Sequence, residues 1–200
     1  MVIIVDVQND FIEGGKLAVN GGLQVSKNIQ QWLKENLLID SNTKSNEAVV
    51  LTQDWHPINH CSFGEWPEHC VQHTAGAAIE ESLIQYLGYN DIKFAVQQKG
   101  WEKDKDMYSF LNNDMVVVKF DRLLQESERI VVTGIVGTVC VKNTINDLIK
   151  LGYADKIIVP IKCVAHFNDE AKQELINWLN ENNIKIIEGL SDEENRLIGK

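Results

Sequence analysis

Ile130-Val131-Val132-Thr133-Gly134-Ile135-Val136-Gly137-Thr138-Val139-Cys140-Val141 reads as a buried strand, a glycine-containing corner and the start of a helix. The first half is a continuous apolar, β-branched run, which suits a strand covered on both faces. From Val141 to Leu151 apolar residues recur at helical spacing. Cys140 therefore falls at a strand-to-helix corner, where backbone N–H groups are unpaired and the helix dipole is positive. That setting favours thiolate and predicts a pKa below ~8.5. A lone cysteine is more often a buried structural residue, so its partners elsewhere in the chain decide its role.

Outward from this run, strands and helices alternate. Strands are expected at Val2 to Val7, Ala48 to Thr52, Ile92 to Gln98, Arg129 to Ile135, Ala154 to Ile161 and Ile184 to Ile187. Helices are expected at Leu23 to Leu38, Ala77 to Leu87, Val141 to Leu151 and Asp169 to Asn182, the last capped by Asn168 or Asp169. Asp40 to Asn46 reads as a polar loop, Lys103 to Asn113 as a loop with a short helix over the site, and the tail beyond Leu190 as a short polar helix. Met115 to Phe120 fits either a strand or a helix start. Such alternation predicts an α/β fold, a three-layer αβα arrangement around a mainly parallel sheet of roughly six strands, with residues 1–200 as a single domain. In parallel sheets ligands bind at the carboxyl edge.

Composition narrows the function classes. A net charge of -10 argues against a nucleic-acid or anionic-membrane partner, since either needs clustered Lys and Arg. No apolar run approaches the ~20 residues of a membrane span. The amino terminus lacks the basic head and cleavage site of a signal peptide, so a cytoplasmic location is expected. Cys61, Cys70, Cys140 and Cys163 form no CxxC pair and read as reduced thiols, all but Cys140 structural.

Three strand ends carry reactive groups. Asp6 closes the first strand, Lys99-Gly100 follows the third, and Cys140 follows the central run. A cysteine nucleophile needs a base, a cation and oxyanion donors. Asp6, Lys99 and the amides of the Val136-to-Cys140 corner meet those needs in turn. Asp10 suits turn capping instead. The second strand ends in Asp54-Trp55-His56-Pro57, whose Asp54 and His56 project to one side of an extended segment. A third imidazole returning from the following loop would complete a site for Zn²⁺, Fe²⁺ or Mn²⁺. His60, His69 and His73 all compete for that place, and spacing does not choose. No G-x-G-x-x-G follows the first strand, which excludes dinucleotide binding of the doubly wound type.

The stretches Asp6-Val7-Gln8-Asn9-Asp10-Phe11, Asp54-Trp55-His56-Pro57, Trp66-Pro67-Glu68-His69-Cys70-Val71-Gln72, Lys99-Gly100, Tyr108-Ser109 and Gly134 to Val141 together resemble the nicotinamidases (pyrazinamidases) of the isochorismatase-like cysteine hydrolases. The resemblance runs, in the family's order, from the first residues to the Cys140 helix. It implies hydrolysis of nicotinamide to nicotinic acid and ammonia through a thioester, in NAD salvage. It implies Asp6, Lys99 and Cys140 as a catalytic triad, amides of Val136 and Cys140 as oxyanion donors, and Asp54, His56 and His69 as ligands of one divalent metal, zinc foremost, with iron or manganese as alternatives. It places the substrate ring against Phe11 and Trp66, with Tyr108 and Ile135 nearby, and a cis peptide at Ile135-Val136. A related carbamoyl or ureido amidase with the same triad is the alternative. Family members occur as monomers and as larger assemblies, so a homo-oligomer stays open. Val136-Gly137-Thr138-Val139 departs from the family's usual Ala-Thr-Asp corner, His73 stands where a small or amide residue is usual, and His60 and His73 remain candidates for an extra ligand.

Overall fold

The computed structural model describes residues 1–37 and 47–190. Among them the strands are β1 (Val2–Val5), β2 (Val49–Asp54), β3 (Phe94–Lys99), β4 (Ile130–Gly134), β5 (Ile157–Pro160) and β6 (Lys185–Ile187). They form one sheet in the order β3-β2-β1-β4-β5-β6, and every neighbouring pair is parallel. The helices are α1 (Gly22–Leu37), α2 (Glu81–Tyr89), α3 (Asp114–Glu126), α4 (Lys142–Lys150) and α5 (Asp169–Glu181). The expected α/β architecture is present.

The continuous apolar runs explain the layering. Successive side chains of a strand point to opposite faces. Ile3 and Val5 of β1 and Val132 of β4 thus pack with Phe120, Ile145 and Leu175 of α3, α4 and α5. Val2, Ile4 and Val131 pack with Ile29 and Leu33 of α1 and Leu83 of α2 on the other face. The chain builds outward from β1 through β2 to β3, then returns to place β4 on β1's free side. The switch between β1 and β4 opens a crevice at their carboxyl ends, where an open α/β sheet binds its ligand.

Several boundaries differ from the expected ones, each for a local reason. β1 stops at Val5 because Asp6 turns into the left-handed region at φ 49. β2 runs on to Asp54, held by pairing through Asp54 with Lys99 of β3. α2 begins at Glu81 rather than Ala77, since the Glu80 carboxylate caps it through the amides of Ser82 and Leu83. The residues before it are tied elsewhere: Ala77 O accepts from the side chains of Gln8 and Gln53. Met115 to Phe120 is helix, begun by the Asn113 cap, and Asn168 caps α5. β5 begins at Ile157, after a short 3₁₀ turn at Ala154–Lys156. Lys103 to Asn113 holds turns and no helix. Leu38, the Asp40 to Asn46 loop and the tail beyond Leu190 lie outside the described residues.

The end of β4 depends on one glycine. Gly134 has φ +116, and a Cβ there would stand 2.0 Å from the Val5 carbonyl oxygen. Gly134→Ala is expected to destabilise the protein by at least about 1–3 kcal/mol, the cost of holding a side chain in that region. Denaturant unfolding checks this; a midpoint equal to the parent's would refute it.

Candidate active site

The carboxyl edge places Asp6, Lys99 and Cys140 around a single point. Asp54 and Lys99 are register partners on β2 and β3, so both side chains stand on one face at one height. Lys99, fully buried, pairs with Asp54 and stands 2.8 Å from Asp6 Oδ2. Its Nζ also lies 3.6 Å from Cys140 Sγ and 3.4 Å from the Met107 carbonyl. Thr52 donates its hydroxyl to the other Asp6 oxygen. Asp6 Oδ2, paired with Lys99 at 2.8 Å, keeps lone-pair capacity for the thiol. Carboxylate oxygens of Asp6 and Asp54 and the Cys140 sulfur lie within 4.8 Å of one another.

Cys140 sits in a wide π-type turn, Gly137–Val141, that leads into α4. Val141 N–H reaches back to Val136 O at 3.2 Å, a five-residue step. Such turns are frequent at functional sites. The corner is pinned from the neighbouring loop: Gly137 N–H donates to Ala165 O at 2.8 Å, and Ala165 N–H donates to Gly134 O at 3.0 Å. The Ile135-Val136 peptide is cis, as the resemblance implied. Val136 and Cys140 both line the cavity.

The charge state of the thiol differs from the expectation. Burial pushes the Cys140 pKa well up; Lys99 opposes the rise, but the Asp6 and Asp54 carboxylates add to it. A lowered pKa needs an exposed or net cationic setting, and here one ammonium faces two carboxylates in the interior. The resting group is a neutral thiol. Asp6 is likewise raised by burial, against the pull of Lys99. Burial alone would raise Asp54 also, yet Lys99 and His56 hold it well below the usual carboxylate range.

A second cluster shares Asp54. Ligand atoms of Asp54, His56 and His69, all buried, lie within 4.8 Å of one another. His56 Nδ1 meets Gly100 O at 2.9 Å and His69 Nδ1 meets Pro67 O at 2.7 Å. With each Nδ1–H spent on a carbonyl, both Nε2 atoms are free to bind a cation, the usual outer-shell arrangement of a metal-binding histidine. Gly100 permits this: a Cβ there would lie 2.5 Å from the His56 ring. One carboxylate and two imidazoles suit a divalent transition metal. Against the pull of burial, the Asp54 carboxylate raises the His56 pKa, so a metal bound there would displace a proton. Burial lowers the His69 pKa, which keeps that imidazole neutral.

The competing histidines are placed elsewhere. His60 stacks on His56 at 4.2 Å, and both its nitrogens are engaged, Nδ1 by Ser62 and Nε2 by the Lys105 carbonyl. His73 is exposed, with its ring edge-on to Trp55. Neither joins the cluster. Asp10 does the turn work expected of it, accepting from the amides of Lys16 and Cys70. Cys70 and Cys163 are buried, whereas Cys61 is exposed.

Both clusters border one open cavity. Phe11, Trp66 and Tyr108 line it, as the resemblance implied; Ile135 does not, being 1% exposed within the core. Asp6 and Lys99, both fully buried, do not line it either, and Cys140 is the member of the three that does. Leu17, Asp106, Met107 and Phe167 complete much of the wall without having been singled out in the sequence. Trp66 Nε1–H donates to the Tyr108 hydroxyl at 3.3 Å. Burial and the nearby Asp106 carboxylate push the Tyr108 pKa up to about 12, so the phenol stays neutral.

Known proteins resemble this chain in sequence and fold. A family described as the isochorismatase domain matches residues 1–189. The chain is similar to a nicotinamidase of Escherichia coli (strain K12), 34% identical over 183 residues that cover 78% of this chain and 79% of that one. It is similar to a nicotinamidase/pyrazinamidase of Mycobacterium tuberculosis, 32% identical over 173 residues, covering 80% and 84% respectively. Among solved structures, the pyrazinamidase of Pyrococcus horikoshii in complex with zinc superposes with a TM-score of 0.77 at 26% identity, covering 94% of this chain and 98% of that one.

Proposed function

The chain belongs to the isochorismatase family, and from that premise we propose that it hydrolyses nicotinamide to nicotinic acid and ammonia. One observation carries the reading: a cysteine backed by a buried aspartate and lysine forms part of an aromatic-walled cavity whose lining also includes an Asp-His-His donor set. The relatives' names support it.

Cys140 is the nucleophile. Its proton passes to Asp6, whose raised pKa suits it to hold one, and the sulfur bonds to the carboxamide carbon. Lys99 offsets the negative charge that remains. Amides of Val136 and Cys140 receive the developing oxyanion. Asp6 returns the proton to the amide nitrogen, the C–N bond breaks, ammonia leaves, and a thioester remains. Asp6 then takes a proton from water, the hydroxide adds to the thioester carbon, the C–S bond breaks, and the sulfur recovers its proton from Asp6. Atoms balance as amide plus water giving acid plus ammonia.

Asp54, His56 and His69 would hold the metal. A divalent ion bound there is a Lewis acid that can anchor a ring nitrogen, chemistry a carbamoyl or ureido substrate does not use. Zinc is our first assignment, supported by the zinc-bound relative, with iron or manganese as alternatives. Phe11, Trp66 and Tyr108 would flank the ring. The four free cysteines accord with a reducing compartment, so we assign the reaction to cytoplasmic salvage of nicotinamide toward NAD. No helix among the described residues is long and apolar enough to cross a membrane.

The direct test is ammonia release from nicotinamide, followed by a coupled assay. Turnover of a ureido or carbamoyl substrate with none of nicotinamide would overturn the proposal. For the metal site, His56→Ala is expected to lower the bound transition metal per chain by about tenfold or more, the order seen when a metal's coordination is weakened. Elemental analysis after gel filtration reads it. Unchanged metal content removes the ligand assignment.

A further inference from the structure

Phe167 lies in the loop between β5 and α5, a hundred residues from the aromatic loop that carries Trp66. Its ring stacks on the Trp66 indole, with centroids 5.9 Å apart and planes at 14°. Both rings line the cavity that Cys140 borders. At 36% exposure Phe167 stands at the outer side of the cavity.

Two features make this contact a built wall rather than a chance touch. Trp66 is held in its plane from two directions, by the stack and by the hydrogen bond from Nε1 to the Tyr108 hydroxyl. Phe167 is itself anchored two residues away, where Ala165 exchanges backbone hydrogen bonds with Gly137 and Gly134 of the nucleophile corner. The neighbouring His166 ring packs into the space beside Gly137, leaving none for a Cβ at that position. The loop that fixes the corner carrying Cys140 therefore also fixes Phe167.

We propose that Phe167 is a specificity-determining residue, which braces the Trp66 indole so that its ring plane selects flat heteroaromatic carboxamides over aliphatic ones. This rests on the proposed amide hydrolysis. Phe167 touches no reacting atom, so its loss acts on binding and on discrimination. A braced indole binds a flat ring without first having to be ordered, and an offset aromatic contact contributes enough for about a tenfold change in affinity.

The test compares Phe167→Ala and Phe167→Tyr with the parent protein, using nicotinamide and isobutyramide as substrates. For Phe167→Ala, KM for nicotinamide is expected to rise about tenfold with kcat within about twofold, and the preference for nicotinamide over isobutyramide to shrink by the same factor. Phe167→Tyr keeps the stack and should restore the parent KM. A purely structural role would lower the melting temperature and the active fraction without moving KM. An unchanged KM in Phe167→Ala overturns the proposal. Calorimetric titration of nicotinamide into Cys140→Ala, with and without Phe167→Ala, reads the wall without turnover. If the parent protein releases no ammonia, the hydrolysis reading fails on its own, and equal affinities in this titration would sink the wall as well.

Discussion

Cys140→Ala is expected to lower ammonia release from nicotinamide by at least about 10³-fold, with 10⁶-fold as the scale seen when a hydrolase nucleophile is deleted. The expectation follows from geometry. Of the proposed triad, Cys140 reaches the cavity, while Asp6 and Lys99 are wholly buried. Neither of those can form a bond to substrate in its place. The fold should survive, because the resting thiol is neutral and its removal leaves no ion unpaired. Metal content should also persist, since Asp54, His56 and His69 make up their own donor set. Turnover, elemental analysis and circular dichroism on the same preparation separate these effects. A variant that keeps a tenth or more of the parent rate would show that water, not sulfur, attacks the amide.

Lys99→Met should be the most damaging single change to stability and to activity together. The ammonium is the shared partner of Asp6 and Asp54, both buried to within a few per cent of complete. Removing one member of a buried charge pair typically costs about 3–5 kcal/mol, because the remaining charge has neither water nor partner. Asp6, already raised by burial, would rise further and hold its proton. A carboxyl with a folded-state pKa above its unfolded value binds more protons when folded, so stability falls as pH rises through that window. The deficit of Lys99→Met against the parent should thus be largest near about pH 8 and shrink toward about pH 5. Urea midpoints at the two pH values check the sign; a deficit that grows on acidification would mean that Lys99 is not what holds Asp6 ionised. Activity should be lost at both, since an Asp6 that keeps its proton cannot accept one from Cys140.

How legible was this in the chain? The strands were, because uninterrupted β-branched runs such as Val2 to Val5 and Ile130 to Thr133 have few fates other than a sheet covered on both faces. Asp6 was legible for the same reason, since a polar residue ending such a run falls on the carboxyl edge; Lys99 was legible as the charged end of the third strand, and Cys140 from its place at the corner after the central one. The third imidazole was not. What settles it is where a loop returns: the Cys70 amide is tied to Asp10, and the His56–Val71 bridge brings His69 alongside His56. His60, nearer in sequence, has its nitrogens taken by Ser62 and by the Lys105 carbonyl. Phe167 left no trace at all, because a stack between residues a hundred positions apart has no period or spacing to reveal it.

The strand-to-helix run ending at Cys140 shows where the division falls. Its residue pattern determined by itself that a strand would be buried, that a corner would follow and that a thiol would stand on the binding edge, since these depend on neighbours along the chain. Whether that thiol rests as an acid or an anion was decided only by the tertiary structure. Burial, the Lys99 ammonium and the two carboxylates act on the sulfur together, and the three charged groups arrive from three separate strand ends. An electrostatic balance among groups that are distant in the chain and within a few ångströms in space exists only once the sheet has assembled.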